Sequence, residues 1–369
     1  MRHVSEEVRL VFATDIHGSN ACFRKVLSAF DQPDAPQTVV VGGDVTGKDL
    51  LVIVERDPDC YELINEEGRT VRMRGDEVDE VERAIADKGL YTYICDPQEA
   101  ALLKIHRDRR DSVLERLQVE RLSEWLAEAD RRLAGTDKRL IMNAGNDDPF
   151  CIDQVLESAA HVIRPEGKLI RIGSHLTMIS TGFTTETPWN TPREVSDEAL
   201  QKIIAESVAS VPDTSKCIFN FHCPPRDTRL DLAPKLDENK RPVATALGMQ
   251  WEHVGAKSVR DAIVAMQPVA ALHGHIHEQH AWEYVGRTWC CNPGSAYSKG
   301  ILQSAFLMFR DGRLVWRELR RDMVPLSTDT RRGLVEAVLL ALPFGKTAVR
   351  LLQIGDASRS KSSPGQSSP

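Results

Sequence analysis

Five short apolar runs along the chain each stop at a polar, chemically loaded turn. They are Arg9–Thr14 before Asp15, Thr38–Val41 before Gly42, Arg139–Asn143 before Gly145, Lys216–Phe221 before His222, and Val269–Leu272 before His273. Runs of this length, bounded by turn signals, predict buried strands that deliver residues at their carboxyl ends, where open α/β sheets place their ligands. Helical stretches at Ser19–Phe30 and Ser196–Ser210 alternate with them and predict a layered α/β architecture. Two hairpins are also legible: Lys168–Ile172 with Leu176–Ser180 around Gly173-Ser174, and Ala305–Arg310 with Arg313–Glu318 around Asp311-Gly312. The second pair suits the positive φ angles of a type I′ turn. Local antiparallel pieces make the sheets mixed, and the expected fold class is α/β, a two-layer mixed β-sandwich flanked by helices.

Between the second and third runs lies a long insertion, at about 47–136, expected to form a cap on a main domain spanning 1–324. It opens with a hairpin, Leu51–Arg56 and Cys60–Arg74, turning at Asn65-Glu66-Glu67-Gly68, followed by a helix from Glu77 to Lys88. A longer helix is expected from about Pro97 to Leu133, because Leu103, Val113, Leu117, Leu122, Trp125, Leu126, Ala129 and Leu133 recur mostly three or four apart. A C-terminal helical extension at 325–354, with its helix at Arg331–Leu342, precedes a tail at 355–369 of mostly Ser, Gly, Pro and Lys that cannot bury enough surface to order itself.

Composition narrows the function classes. Of 369 residues, 41% are hydrophobic and 27% charged, enough apolar material for a large core. A net charge of -7 counts against a chain whose main task is gripping nucleic acid by its phosphates. The 8 cysteines include no C-x2-C pair, so reduced thiols are expected. No apolar run approaches the ~20 residues that span a bilayer, and the N-terminus lacks a secretory core, which points to the cytoplasm.

Five segments carry the chemistry: Asp15-Ile16-His17, Gly43-Asp44, Gly145-Asn146-Asp147-Asp148, His222, and Gly274-His275-Ile276-His277. Each supplies oxygen or imidazole ligands from a strand end. In D-x-H and H-x-H the two ligands alternate along an extended segment, so a bend is needed to bring both to one metal or one to each of two. Glycines beside Asp44, Asn146 and His275 let backbone approach a crowded centre. Singly, none of these segments is specific; in this order, each after its own apolar run, they point to a metal centre. A mixed Asp, His and Asn set suits divalent ions, manganese first, with iron, zinc or nickel as alternatives.

This constellation resembles the calcineurin-like metallophosphoesterase superfamily, whose pattern is D-x-H, G-D, G-N-H-[DE], H and G-H-x-H in that chain order. The resemblance covers 8–50 and 138–298 and implies a four-layer αββα sandwich with two metals at the strand ends. By that resemblance Asp15, His17 and His277 hold one metal, Asn146, His222 and His275 the other, and Asp44 bridges both. Asn292-Pro293-Gly294-Ser295 looks like the N-P-G-S turn of the small phosphodiesterase branch. Asp44 and Asn146 are thereby expected at the catalytic centre together with Asp147, which stands where many members have His. A carboxylate there repels phosphate unless protonated or paired.

Two divalent ions ~3.5–4 Å apart can share a water or hydroxide, lower its pKa and clamp the phosphoryl oxygens, so no protein nucleophile is required. The expected activity is therefore metal-dependent hydrolysis of a small or nucleotide-type phosphodiester, the insertion near Asp44 narrowing the site. A phosphomonoesterase, a nuclease, or a catalytically silent metal-binding scaffold are the alternatives. Nucleic acid is not favoured as a partner, and no membrane partner is expected. Leaving-group protonation falls to solvent, His253 or His280, although a structural role is favoured for both histidines. Arg226 and Arg229 could reach a phosphate. The Thr187–Pro192 loop could stack a base on Trp189, with packing the more ordinary explanation. The basic cluster Lys104, Arg107, Arg109 and Arg110 is interleaved with Asp108 and Asp111 and reads as a solvated helix face.

Overall fold

The computed structural model describes residues 5–64, 70–246 and 248–322. Among these the chain divides into two compact units, one taking in the chain up to Asp49, Ala86–Leu90 and Ser112 onward, the other Leu50–Ile85 and Tyr91–Asp111.

The first unit is built on two six-stranded sheets. One runs in the order Arg313–Asp322, Leu302–Arg310, Glu7–Ala13, Thr38–Val41, Arg139–Met142, Val162–Ile163. The other runs Ala281–Val285, Thr288–Asn292, Ala270–Leu272, Cys217–Phe221, Leu176–Thr181, Ile170–Ile172. The five apolar runs occupy the parallel interior of these sheets. Antiparallel hairpins close three of the four flanks, Val162–Ile163 pairing parallel at the fourth, and the tight turn of one hairpin places Asp311 at φ 50° and Gly312 at φ 78°.

Period-two alternation along each interior strand divides its side chains between two cores. Leu10, Phe12, Val40 and Ile141 meet Met178, Ile218, Leu272 and Trp289 of the opposite sheet. Val11, Val39, Val41 and Met142 point the other way, onto Phe23 and Val26 of helix Asn20–Ser28 and Trp125 and Ala129 of helix Arg107–Leu133. Phe23 and Trp125 stack there at 4.3 Å, and the indole donates to Asn20 Oδ1 at 2.7 Å. On the far side of the second sheet, Ile179, Phe219 and Ala271 pack with Leu200 and Ile204 of Asp197–Ala209 and Val259 and Ile263 of Lys257–Met266. Helix, sheet, sheet and helix thus form four layers, the arrangement expected of the sequence. Apolar residues on both faces of the interior strands leave little room for polar groups except at strand ends.

The second unit carries a four-stranded sheet in the order Thr70–Met73, Cys60–Ile64, Leu50–Asp57, Tyr91–Cys95. Two expectations are corrected here. The first reversal lies at Asp57–Cys60, where Asp59 takes φ 67° next to Pro58, so Leu50–Asp57 pairs directly with Cys60–Ile64. Pro and Asp are turn residues in their own right. The expected turn at 65–68 lies outside the described residues. The single helix expected from Pro97 to Leu133 is two helices, Pro97–Ile105 and Arg107–Leu133, because His106 leaves helical space at φ -105°, ψ 97°. Arg109 reaches back across the break to Glu99 at 2.8 Å, and both helices keep buried residues, so the apolar spacing hides the interruption. The same contact, Arg110 donating to the Leu50 carbonyl and Arg107 beside Asp111 absorb most of the basic cluster in local pairs. The strand Tyr91–Cys95, which pairs parallel with Leu50–Asp57, escaped the sequence pattern. The expected helix at Arg331–Leu342 and the tail at 355–369 lie outside the described residues. Among the described residues no helix is long and apolar enough to cross a membrane.

Candidate metal centre

The loops leaving the interior strands of both sheets converge. Four of the residues they carry, Asp15, His17, Asp44 and His275, are non-glycine residues at positive φ, 53°, 39°, 49° and 69°. Such conformations cost about 1–3 kcal/mol each and persist where surrounding bonds over-determine them. Here Asp15 N donates to the Gly43 carbonyl and His17 N to the Asp44 carbonyl, both at 2.9 Å. His275 N donates to the Asp15 carboxylate at 3.1 Å. These turns supply the bend that D-x-H and H-x-H require.

Asp15, His17, Asp44 and His277 bring one ligand atom each to within 4.8 Å of one another. His17 Nε2 and His277 Nε2 are 3.0 Å apart, and His277 Nε2 is 3.2 Å from Asp15 Oδ1. Asp44 Oδ2 lies 3.6 Å from His17 Nε2 and 3.3 Å from His222 Nε2, so one carboxylate oxygen faces imidazoles on both sides. Beyond it, Asn146 Oδ1 lies 2.7 Å from His275 Nδ1, and Asn146 Nδ2 donates to Thr191 Oγ1 at 2.9 Å. All seven expected ligands therefore meet in one place, in two groups with Asp44 between them.

Glycines make the crowding possible. A Cβ at Gly43 would stand 2.2 Å from His222 Nδ1, one at Gly145 2.3 Å from Asp44 Oδ1, and one at Gly274 2.4 Å from Asp15 Oδ2.

The ionisation of the set suits cations. Burial opposes ionisation of Asp15, yet His222 and His277 beside it hold its carboxyl down at about 2. Asp44 is held well below the usual carboxylate range in spite of burial, chiefly by His222. Burial drives His17 and His275 down to about 4, leaving neutral imidazoles with lone pairs to give. His222 is the exception: burial would lower it, but the Asp44 and Asp15 charges push it up to about 9, so its proton balances the carboxylates where no cation does. Both ring nitrogens of His222 and Nδ1 of His17 are buried without a hydrogen-bond partner. Buried imidazole nitrogens without a partner are costly, and a bound cation would satisfy one nitrogen of each ring.

Asp147 is 7% exposed at its side chain; its N–H donates to Asp44 Oδ1 at 2.9 Å, and its carboxylate pairs with Lys48 Nζ at 2.7 Å. Asp148, to which the sequence pattern assigns no role, is the clamp of the site. It accepts from Val45 N (2.9 Å), Thr46 N (2.7 Å), Thr46 Oγ1 (2.6 Å) and Gly145 N (2.8 Å), tying the Asp44 loop to the Asn146 loop. Burial and the Asp44 charge push its carboxyl up to about 6 against those bonds.

Of the other supporting residues, Asn292 and Ser295 belong to the turn singled out in the sequence, whereas Tyr297 and Arg193 gave no local signal. Asn292 Nδ2 donates to the carbonyls of Gly274 and Ile276, and Ser295 Oγ to that of Asp15 at 2.6 Å, so the Asn292–Ser295 turn braces two ligand loops. The Tyr297 ring lies 4.7 Å from His17. Arg193, 2% exposed, donates to the carbonyls of Asp148 and Pro149, pairs with Asp153 at 2.8 Å and covers the Phe150 ring at 4.5 Å. Arg193→Met is expected to cost roughly 3 kcal/mol, the scale for breaking one partner of a buried pair, read as a lower urea midpoint at unchanged m. An unaltered midpoint would show that the guanidinium carries no structural load.

The remaining candidates stand apart in role. His253 Nδ1 is bound 2.8 Å from the buried Asp231, and His280 Nδ1 faces the Pro293 carbonyl at 2.7 Å, both structural engagements. Arg226 and Arg229 are exposed. Trp189 is 56% exposed, on the loop whose Thr191 orients Asn146.

In architecture and in its buried Asp/His cluster the chain resembles the calcineurin-like metallophosphoesterases. No family model matches the chain. It is 29% identical over 122 residues to an uncharacterized protein of Methanocaldococcus jannaschii, a match that takes in 32% of this chain and 48% of the relative, about half of its length. Among solved structures, a hypothetical protein from Thermus thermophilus is similar over 86% of this chain and 100% of its own, at 12% identity and a TM-score of 0.40. A predicted phosphoesterase from Streptococcus pneumoniae is similar over the same shares, at 9% identity and a TM-score of 0.26.

Proposed function

We propose that the protein is a phosphoester hydrolase that works with two divalent cations, manganese foremost, on a small or nucleotide-type phosphodiester. The observation that carries this reading is the convergence of one ligand atom each from Asp15, His17, Asp44 and His277, with His222 Nε2 3.3 Å from Asp44 Oδ2 and 3.8 Å from Asp15 Oδ1. Asp15, His17 and His277 would hold one cation with Asp44, and Asn146, His222 and His275 the second. Cations held there polarise phosphoryl oxygens, lower the pKa of a shared water and stabilise the leaving oxygen. The chain's own part is to keep these ligands ionised or neutral as required, and to orient Asn146 through Thr191 and His275. Its strained turns keep each donor aimed inward.

The resemblance of Asn292–Ser295 to the phosphodiesterase-type turn favours diesters over monoesters, and the acidic balance of the chain disfavours a nuclease. The ion pair of Asp147 with Lys48 favours an active enzyme over a silent scaffold, because the carboxylate is then not an unpaired anion facing phosphate.

The test is turnover by the manganese-loaded full chain of bis(p-nitrophenyl) phosphate, p-nitrophenyl phosphate, cyclic nucleotides and a phosphoprotein. Diester cleavage exceeding monoester cleavage is expected. Rapid phosphate release from the phosphoprotein with no diester cleavage reverses the assignment.

A further inference from the structure

Asp147 stands where the pattern of the resembled family has His in many members. A buried carboxylate in that place works against an incoming phosphate by like-charge repulsion. The structure answers this charge from another loop. Lys48 Nζ stands 2.7 Å from Asp147 Oδ2, and the same oxygen lies 3.9 Å from His17 Nδ1. Asp147 N is at the same time bonded to Asp44 Oδ1. The ammonium therefore sits one carboxylate away from two of the ligands.

Lys48 is not a loosely hung surface lysine. The three residues before it are pinned: Val45 N and Thr46 N and Oγ1 to Asp148, and the Gly47 carbonyl to Gln118 Nε2 at 2.7 Å. A Cβ at Gly47 would stand 2.0 Å from the Gly89 carbonyl and 2.8 Å from that of His17, so the backbone is wedged beside the site immediately before Lys48. One ammonium hydrogen serves Asp147, and the side chain is 49% exposed, which leaves the ammonium accessible to an anion.

We infer that Lys48, held by Asp147, is the phosphate-binding cation of this site, taking over the anion-facing role of the missing imidazole. It binds the non-bridging oxygens of a phosphodiester as a point charge, and Asp147 acts as its positioning residue. This rests on the proposed phosphoesterase reading and adds to it the group that recognises the substrate's charge.

The experiment uses the manganese-loaded full chain and its Lys48→Gln and Lys48→Arg variants. Inorganic phosphate affinity is measured by calorimetry, KM and kcat on bis(p-nitrophenyl) phosphate, and metal content by elemental analysis. Loss of a charge-assisted bond predicts that Lys48→Gln weakens phosphate binding and raises KM by about 10- to 100-fold, with kcat less affected. Metal content stays at its wild-type value while the melting temperature falls with the loss of the Asp147 partner, and Lys48→Arg recovers most of both losses. Equal phosphate affinity in wild type and Lys48→Gln overturns the Lys48 assignment alone, as does a loss confined to kcat. A wild-type chain that holds its metals yet neither binds phosphate nor cleaves the diester overturns both the assignment and the reading beneath it.

Discussion

Asn in place of Asp44 is expected to abolish phosphodiester hydrolysis while leaving the chain folded. The side chain is 2% exposed and nearly isosteric with its replacement, and an amide oxygen can still accept the Asp147 N–H that now bonds Asp44 Oδ1. What disappears is the negative charge between the two ligand groups. Substitutions one shell farther out from a metal typically cost 10- to 100-fold, so losing the central ligand should lower kcat by at least roughly a hundredfold. Metal content should fall from two ions to one or fewer. Without metal the variant should melt lower than wild type, because an ionised carboxylate that His222 holds well below the usual range loses that pairing. With manganese only wild type should gain substantially; saturation at about 100 times Kd is worth roughly 2.7 kcal/mol to a chain that binds in its folded state alone. Wild-type turnover in Asp44→Asn sinks the two-cation mechanism.

The second large effect is expected at Asp148, and it is structural first. Its two oxygens accept three N–H groups and one hydroxyl, and it is fully buried. In Asp148→Asn one oxygen becomes an NH2 group; in the Oδ1 place it can donate to the Thr46 hydroxyl but leaves Thr46 N without an acceptor, and in the Oδ2 place it leaves both Val45 N and Gly145 N without one. The less costly orientation leaves one buried donor unpaired, so destabilisation of about 1–3 kcal/mol should appear in urea unfolding. Activity should fall with it, since the released Thr46 N belongs to the loop directly after Asp44. Because Asp148 acts through the ligand loops and not on substrate, the distinguishing readout is order: metal affinity falls together with stability. A variant with normal stability and metal affinity removes Asp148 from its role as clamp.

Much of the site was legible before any coordinates. The runs before Asp15, Gly42, Gly145, His222 and His273 announce interior strands because both their faces are apolar, and a parallel strand buried on both faces has nowhere else to put its polar groups but its ends. The turn at Asp311-Gly312 was equally plain, since its residues tolerate positive φ. The break at His106 was not, because the apolar spacing continues through it. Tyr91–Cys95 was missed because Tyr91-Thr92-Tyr93-Ile94-Cys95 mixes polar and apolar positions and its partner strand, Leu50–Asp57, is far away in sequence.

Local pattern therefore determined the layered class of the fold and the strand ends that carry chemistry, while the choice of the seven ligand candidates among those residues came from the resemblance of their order to a known family. The first two depend on properties each segment has by itself: periodicity, turn chemistry and side-chain type. Only the tertiary structure decided which residues support them. The pairing of Lys48 with Asp147, the three bonds of Asp148 to Val45 and Thr46, the seat of Arg193 against Phe150 and the reach of Ser295 to Asp15 all join segments whose separation in the chain carries no periodic signal. Such pairs exist because packing of the two sheets brings distant loops together and leaves their buried polar groups no solvent to satisfy them.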